Sequence, residues 1–155
     1  MKTIKILFVC HGNICRSPMA EYVMKDLVKR AGLENQFEIA SAATSYEEIG
    51  NPVYPPARRE LQKHGIGCAG HAARHMEKSD YAYYDFLVGM EPVNLRNMAR
   101  ICGGDPEGKI RLLMSFAGRD EAIDDPWYTG RFSEVYAQIA EGCAAMLDAL
   151  RPEKR

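Results

Sequence analysis

The segment "CHGNICRSP" brings a thiol, a guanidinium and a hydroxyl into one short stretch, at Cys10, Arg16 and Ser17. A guanidinium is a planar fork of donors that suits two oxygens of a phosphoryl group. A thiol beside a cation and a helix N-terminus is favoured as the thiolate, which is its nucleophilic form. These residues therefore predict attack of Cys10 on a phosphoryl group held by Arg16, with the hydroxyl of Ser17 donating to the sulfur.

The rest of the segment favours a socket for an anion. Gly12 and Asn13 tolerate unusual backbone angles, so that successive N–H groups converge into an anion-binding nest. We expect Ser17 to cap the following helix and Pro18 to take its first position. The free N–H groups of that helix N-terminus then favour an anion. Alternatively, Cys10 is a small apolar residue that closes a buried strand, but the nearby arginine and serine favour the nucleophile.

Strand-like and helix-like stretches alternate along the chain and position this loop. Nearly continuous apolar runs predict strands at 4–9, 37–41, 85–90 and 110–114. Helical spacing predicts helices directly after the loop, at 56–64, at 93–100 and at the end of the chain, where Ser133 is the expected cap. This order predicts an α/β fold with a four-stranded parallel sheet flanked by helices on both faces. The phosphate-binding loop lies between the first strand and the first helix, where such folds bind ligands.

The composition is that of a soluble globular protein, with 155 residues, 46% hydrophobic and 26% charged residues, and a formal net charge of −1. Apolar runs are too short to span a bilayer, and no signal-peptide cleavage site follows the N-terminus. The charge gives no basic field for nucleic acid or an anionic membrane. Five irregularly placed cysteines favour reduced thiols. We expect one domain over 1–155, a monomer in the cytoplasm that binds neither nucleic acid nor membrane.

A family resemblance rests on the run "FVCHGNICRSPMAE", which resembles the C-x5-R-S signature loop of the low-molecular-weight protein tyrosine phosphatases. It continues through "SAATSYEEIGNP", "HGI", "GMEPVNLRNM" and "DPWYTG", over nearly the whole chain. The resemblance implies hydrolysis of phosphotyrosine in proteins or peptides, and of small aryl phosphates, through a cysteinyl-phosphate and without a metal or other cofactor. Cys10 would be the nucleophile and Arg16 the phosphate clamp. The other loop residues would bind substrate: His11, Gly12, Asn13, Ile14 and Cys15.

The resemblance also implies a general acid, which is needed because an unprotonated phenolate is a poor leaving group. The family uses an Asp before a Pro on a late loop, and Asp125 precedes Pro126 here. Asp125 would protonate the leaving oxygen and then activate water against the cysteinyl-phosphate. An Asp-Pro pair is also an ordinary turn dipeptide. Asp124 lies next to it, but the adjacency to proline selects Asp125.

The substrate rim is predicted on two segments. Trp127 and Tyr128 correspond to the family's aromatic rim, which flanks the flat phosphotyrosine ring. Alternatively, one of these two side chains packs in the hydrophobic core. The family's other aromatic position falls on Glu47, with Tyr46 one place earlier, so either residue is a candidate for the opposite rim. Ile14 favours phosphotyrosine, because relatives resembling arginine-phosphate phosphatases usually have Thr there.

Supporting residues follow from the same resemblance. The family's network that holds the loop corresponds to Asn13, Ser17, Ser41 and His71, the last only with one inserted residue. Glu91, where the family often has Asp, would pair with Arg16 and aim it, or is a plain surface carboxylate. His11 departs from the apolar residue common at its position. Cys15 would form a reversible disulfide with Cys10 that protects the nucleophile from deeper oxidation, which makes the enzyme redox-sensitive.

Other functions explain the motifs less well. The loop has no Gly-Lys pair, as a nucleotide-binding P-loop requires, and a zinc site lacks a second ligand pair. Thioredoxin-coupled arsenate reductases share the fold and the loop but need two more, closely spaced cysteines, whereas Cys68 and Cys102 are far apart. A phosphotyrosine-binding module without catalysis is expected to lose the nucleophile or the acid. We therefore expect an active phosphatase.

Overall fold

A single parallel sheet forms the centre of the molecule in the computed structural model, which describes residues 3–151. Its strands are β1 (Ile4–Cys10), β2 (Phe37–Ala43), β3 (Phe86–Gly89) and β4 (Ile110–Leu112). They lie in the order β2-β1-β3-β4, and all of the pairs are parallel. The predicted four-stranded α/β fold is confirmed.

Helices connect the strands and cover both faces of the sheet. The α-helices are α1 (Arg16–Arg30), α2 (Pro55–Lys63), α3 (Asp80–Tyr83), α4 (Pro92–Cys102), α5 (Pro126–Thr129) and α6 (Phe132–Leu150). Two 3₁₀-helices occupy Glu34–Gln36 and Leu113–Ala117. The sequence did not predict α3 and α5, because four residues are too few to show a helical period.

The strand β1 is apolar on both sides because it separates two hydrophobic cores. Ile6 and Phe8 lie in the larger core, together with apolar residues of α1, α2 and α6. Leu7 and Val9 lie in the second core, which α3 and α4 cover. Side chains alternate across a strand, so the covered stretch from Ile6 to Val9 is apolar at every position, whereas Lys5 lies in the partly exposed start of the strand.

The fourth strand is shorter than predicted. It ends at Leu112, and the chain turns into a 3₁₀-helix at Leu113 instead of continuing to 114. Leu113 packs closely on Gly142 of α6, where a Cβ would lie 2.6 Å from the leucine Cγ. The turn at Leu113 thus coincides with a close contact across the core, which strand propensity does not register.

Two predicted helix caps are wrong. Helix α1 begins at Arg16, so that Ser17 and Pro18 lie within its first turn, and its N-cap residue makes no side-chain cap bond. Ser133 likewise lies inside α6, where its hydroxyl donates to Glu60 of α2 at 2.9 Å. Both serine hydroxyls bond to distant residues, and these tertiary contacts override the local preference for capping.

The described residues, 3–151, contain no helix that is long and apolar enough to cross a membrane. The predicted domain range of 1–155 includes residues 1–2 and 152–155, which lie outside the described part of the chain. That range stays a prediction.

Candidate active site

The loop between β1 and α1 lies at the centre of the sheet's carboxyl edge. Strand β1 ends at Cys10 and α1 begins at Arg16. The sheet places β2 on one side of β1 and β3 on the other, so the strand order reverses at this loop. Such a reversal leaves a crevice beyond the strand ends, which is where open α/β sheets bind ligands.

The loop carbonyls point away from the loop. The carbonyl of His11 accepts from the N–H of Ser45 at 3.1 Å, and that of Ile14 accepts from the N–H of Tyr54 at 2.9 Å. The carbonyl of Asn13 is 2.8 Å from Nε2 of His71. The N–H of a trans peptide points opposite to its carbonyl, and the described residues have no cis peptide. The N–H groups that follow these carbonyls therefore point into the loop, as an anion nest requires.

Asn13 fixes the shape of the loop. Its φ of 62° is the one positive value among the non-glycine residues at 3–151. Its Nδ2 donates to the hydroxyls of Ser17 at 2.7 Å and Ser41 at 2.9 Å, and its Oδ1 accepts from the N–H of Arg74 at 3.2 Å. These contacts hold a left-handed conformation that otherwise costs about 1–2 kcal/mol. The structure thus brings together the predicted support residues Asn13, Ser17, Ser41 and His71.

Two groups missed in the sequence extend this network. Ser41 donates to Glu21 at 2.6 Å, and Glu21 pairs with Lys25 at 2.5 Å. Glu21 and Lys25 lie one turn apart on α1, so their pairing is readable from the sequence, but the contact of Glu21 with Ser41 of β2 is not.

The sulfur of Cys10 lies against the first turn of α1. It is 3.0 Å from the hydroxyl oxygen of Ser17 and 3.4 Å from the backbone nitrogen of the same residue. Because Asn13 donates to that hydroxyl, the serine keeps its own proton to donate, either to the sulfur at 3.0 Å or to the carbonyl of Ala42 at the longer distance of 3.5 Å. A thiolate at Cys10 would thus receive an O–H and an N–H donor from one residue.

Arg16 is buried beneath the loop, with 1% of its side chain exposed. Its Nη1 donates to Glu91 at 2.6 Å and to the carbonyl of Ile123 at 2.9 Å, and its Nη2 is 3.5 Å from Asp125. Its Nε has no hydrogen-bond partner among the described residues. Leaving a buried donor unpaired costs about 1–3 kcal/mol, which an oxyanion in the pocket would recover. Glu91 is thus in place to aim the guanidinium.

The ionisation of Arg16 is secured by its neighbours. Burial lowers the pKa of Arg16, but the charges of Cys10 and Asp125 and the hydrogen bond to Glu91 outweigh this effect and raise it above its ordinary value. The guanidinium therefore remains a cation at any working pH.

Asp125 lines the same pocket as Cys10 and contacts Arg16. One carboxylate oxygen accepts from the N–H of Trp127 at 3.1 Å, which caps α5, and the other faces Arg16. Asp125 lines the pocket with Cys10, whereas Asp124 lines only the grooves outside it. Of the two adjacent carboxylates, Asp125 is the one that lines the same pocket as Cys10.

The pocket itself is a cavity of about 100 Å³ above the loop. Its lining includes the predicted residues Cys10, His11, Gly12, Ile14, Cys15, Arg16, Glu47, Asp125, Trp127 and Tyr128. Asn13 is buried behind the loop and does not line it.

The rim opposite the aromatic residues is acidic. Glu47 lines the pocket, but Tyr46 does not: its side chain is 75% exposed and its ring stacks on His75 at 3.8 Å between centroids. The prediction that Tyr46 contacts substrate is therefore not supported. Glu48 also lines the pocket and was missed; its stem packs over Gly12, where a Cβ would lie 3.4 Å from the glutamate Cγ. His11 contacts Glu47 at 3.1 Å across the mouth.

Cys15 is held as a neutral thiol. Burial raises the pKa of the Cys15 thiol far above its usual range, and the charges of Cys10 and Asp125 raise it further. All five cysteines are free in the structure, so the implied bond between Cys10 and Cys15 is not formed here.

Comparison with known proteins identifies the family. The family model "Low molecular weight phosphotyrosine protein phosphatase" matches residues 5–155. The chain is 35% identical to the low molecular weight protein-tyrosine-phosphatase YfkJ of Bacillus subtilis, over 98% of this chain and 99% of that protein. The crystal structure of YfkJ superposes with a TM-score of 0.95 over 100% of this chain and 99% of that one. The Drosophila arginine phosphatase DARP is also similar, with 34% identity, a TM-score of 0.86 and coverage of 97% and 99%.

Proposed function

Since this chain belongs to the low molecular weight phosphotyrosine protein phosphatases and is thus a hydrolase, we propose that it hydrolyses phosphotyrosine in proteins and peptides, and small aryl phosphates, through a cysteinyl-phosphate. The observation that carries the proposal is the sulfur of Cys10 in a pocket whose buried Arg16 has an unpaired Nε. A nucleophile and an unsatisfied cationic donor in one small cavity suit a phosphoryl group.

In the first step, the loop N–H groups and Arg16 bind the phosphoryl oxygens. The thiolate of Cys10 attacks phosphorus, and the bond to the tyrosine oxygen breaks as the S–P bond forms. Asp125, as the carboxylic acid, gives its proton to the leaving oxygen, so that tyrosine departs as a neutral phenol. The products of this step are the phenol and the cysteinyl-phosphate.

In the second step, water attacks the phosphorus of the cysteinyl-phosphate. The carboxylate of Asp125 accepts a proton from this water, and the S–P bond breaks to release inorganic phosphate. The thiolate that leaves is stabilised by the hydroxyl and the N–H of Ser17. Both steps use the same donors, because the transferred group remains in the loop throughout.

The walls of the pocket support an aromatic substrate. Ile14 presents an apolar side chain from the loop, and Trp127 and Tyr128 provide exposed rings at the mouth. Tyr54 packs against Trp127 at 4.6 Å between ring centroids, which steadies that wall. A flat phenyl ring is thus offered apolar contact on its way to the loop.

The working state of the enzyme requires a reduced Cys10. We therefore propose that it works in the reducing cytoplasm. We also propose that it acts as a monomer and needs no nucleic acid, membrane or cofactor. Oxidation of Cys10 by peroxide to a sulfenic acid, followed by attack of the Cys15 thiol with loss of water, would give the protective disulfide.

The test is phosphate release from a phosphotyrosine peptide in the presence of EDTA and a reductant. We expect turnover by the wild type, loss of turnover in Cys10→Ser, and retention in the control Cys102→Ser, whose thiol lies at the far end of α4. A phosphoarginine peptide is assayed in parallel. Hydrolysis of phosphoarginine without phosphotyrosine, or turnover that EDTA abolishes, would contradict the proposal.

A further inference from the structure

The mouth of the pocket carries far more negative than positive charge. A groove of about 370 Å³ adjoins the pocket and shares four residues with it: His11, Arg16, Asp125 and Tyr128. Among the described residues that line these two cavities there are five carboxylates and one permanent cation, Arg16. The carboxylates are Glu47, Glu48, Glu91, Asp124 and Asp125.

The permanent cation is already engaged. Glu91 and Asp125 both contact the guanidinium of Arg16, and a bound phosphoryl group would add two negative charges to the same cation. Arg16 is also buried, so residues of a substrate outside the pocket do not meet it. Within these two cavities, the charge that the flanking residues of a substrate meet is therefore set by the remaining three carboxylates.

These three carboxylates stand on both sides of the mouth. Glu47 contacts His11, which is a cation only when it is protonated. Glu48 accepts a hydrogen bond from the side-chain amide of Asn51 at 2.8 Å. Because that amide is neutral, it does not compensate the negative charge of Glu48. Asp124 lines the adjoining groove on the side of α5. A peptide whose phosphotyrosine reaches the unpaired Nε of Arg16 must lay its flanking residues over one or both of these sides.

We propose that Glu47, Glu48 and Asp124 determine sequence specificity: they favour phosphotyrosines flanked by lysine or arginine and disfavour flanking aspartate or glutamate. This rests on the proposed function and names its substrate class. Opposite charges near a surface attract weakly and are screened by salt, so each carboxylate contributes a small factor. Together we expect them to give about a five- to tenfold preference in kcat/KM for basic over acidic flanks at low salt.

The test uses three phosphotyrosine peptides that differ only in the residues on either side of the phosphotyrosine, which are lysine, glutamine or glutamate. We measure kcat/KM at low and high salt, with para-nitrophenyl phosphate as a substrate that has no flanking residues. We expect the order lysine, glutamine, glutamate at low salt, and a smaller spread at high salt. Equal values for the lysine and glutamate peptides at low salt would overturn the inference.

Variants assign the preference to residues. In the triple variant Glu47→Gln, Glu48→Gln, Asp124→Asn, the ratio of kcat/KM between the lysine and glutamate peptides should approach one. The control Glu107→Gln, an exposed residue next to β4 at the opposite edge of the sheet, should keep the wild-type ratio. An unchanged ratio in the triple variant would overturn the assignment. Failure of the wild type on every peptide and on para-nitrophenyl phosphate would overturn the proposed function itself, whereas hydrolysis without a preference overturns only the specificity.

Discussion

Arg16 is the most constrained charged residue of the site. Burying a guanidinium costs free energy unless an opposite charge lies nearby and its N–H groups are hydrogen-bonded. Glu91 and the carbonyl of Ile123 take one side of it, while Asp125 approaches the other. The orientation of the fork is thereby fixed before substrate arrives, so that the unpaired Nε needs no reorganisation to meet a phosphoryl oxygen.

Asp125 is the residue whose chemistry is most directly testable. We expect Asp125→Asn to lower kcat for a phosphotyrosine peptide by about 10²–10⁴-fold, because the amide cannot protonate the leaving oxygen. The loss should be smaller with para-nitrophenyl phosphate, whose leaving group is less basic. Steady-state kinetics of both substrates measure this.

The control for this prediction is Asp120→Asn, an exposed carboxylate earlier on the same loop. It should leave both rates near those of the wild type. An equal loss with the two substrates in Asp125→Asn would instead indicate a binding role for Asp125.

At the scale of elements, the catalytic loop is held by its neighbours more than by its own residues. Asn13 is the meeting point, with contacts to Ser17 of α1, Ser41 of β2 and the segment at 71–74. The shape of the loop therefore depends on contacts with three separate stretches of chain, because the loop is not itself helix or strand.

Two substitutions of Asn13 separate the contribution of its side-chain hydrogen bonds from the strain of its left-handed backbone. We expect Asn13→Ala to lower the free energy of unfolding by about 2–4 kcal/mol, because it loses the side-chain bonds and strains a left-handed backbone. Asn13→Gly loses the same bonds without the strain and should fall between Asn13→Ala and the wild type. Urea unfolding of the three proteins gives the comparison. Wild-type stability in Asn13→Gly would show that the side-chain bonds do not hold the loop.

At the scale of the whole molecule, α2 and α6 are joined by a buried carboxylate. Glu60 accepts from Ser133 of α6 at 2.9 Å and also contacts Lys63 and His64. Burial raises the pKa of Glu60, but these hydrogen bonds and the charge of Lys63 outweigh it and lower the pKa below its ordinary value of 4.5. A lowered carboxyl pKa in the folded state stabilises the fold above the ordinary value, and this stabilisation is lost as pH falls through the folded value.

Glu60→Gln should therefore destabilise the protein near neutral pH by about 1 kcal/mol, because a hydrogen bond to a charged acceptor becomes a neutral one. The difference from the wild type should shrink as pH falls below about 4.5. Urea unfolding across this pH range checks the sign. The exposed Glu34→Gln is the matched control, and a difference that grows on acidification would contradict the account of Glu60.

The sequence by itself determined the order of strands and helices and the loop that carries Cys10 and Arg16. These are local properties: apolar runs and helical spacing act within a few residues, and the thiol and the guanidinium lie in one turn of the chain. The tertiary structure decided which groups meet across the sheet. In it, the hydroxyls of Ser17 and Ser133 bond to Cys10 and Glu60 instead of capping a helix. Glu47 and Glu48, and not Tyr46, line the pocket. Hydrogen bonds and packing between segments distant in the chain fix such contacts, and no local pattern encodes them.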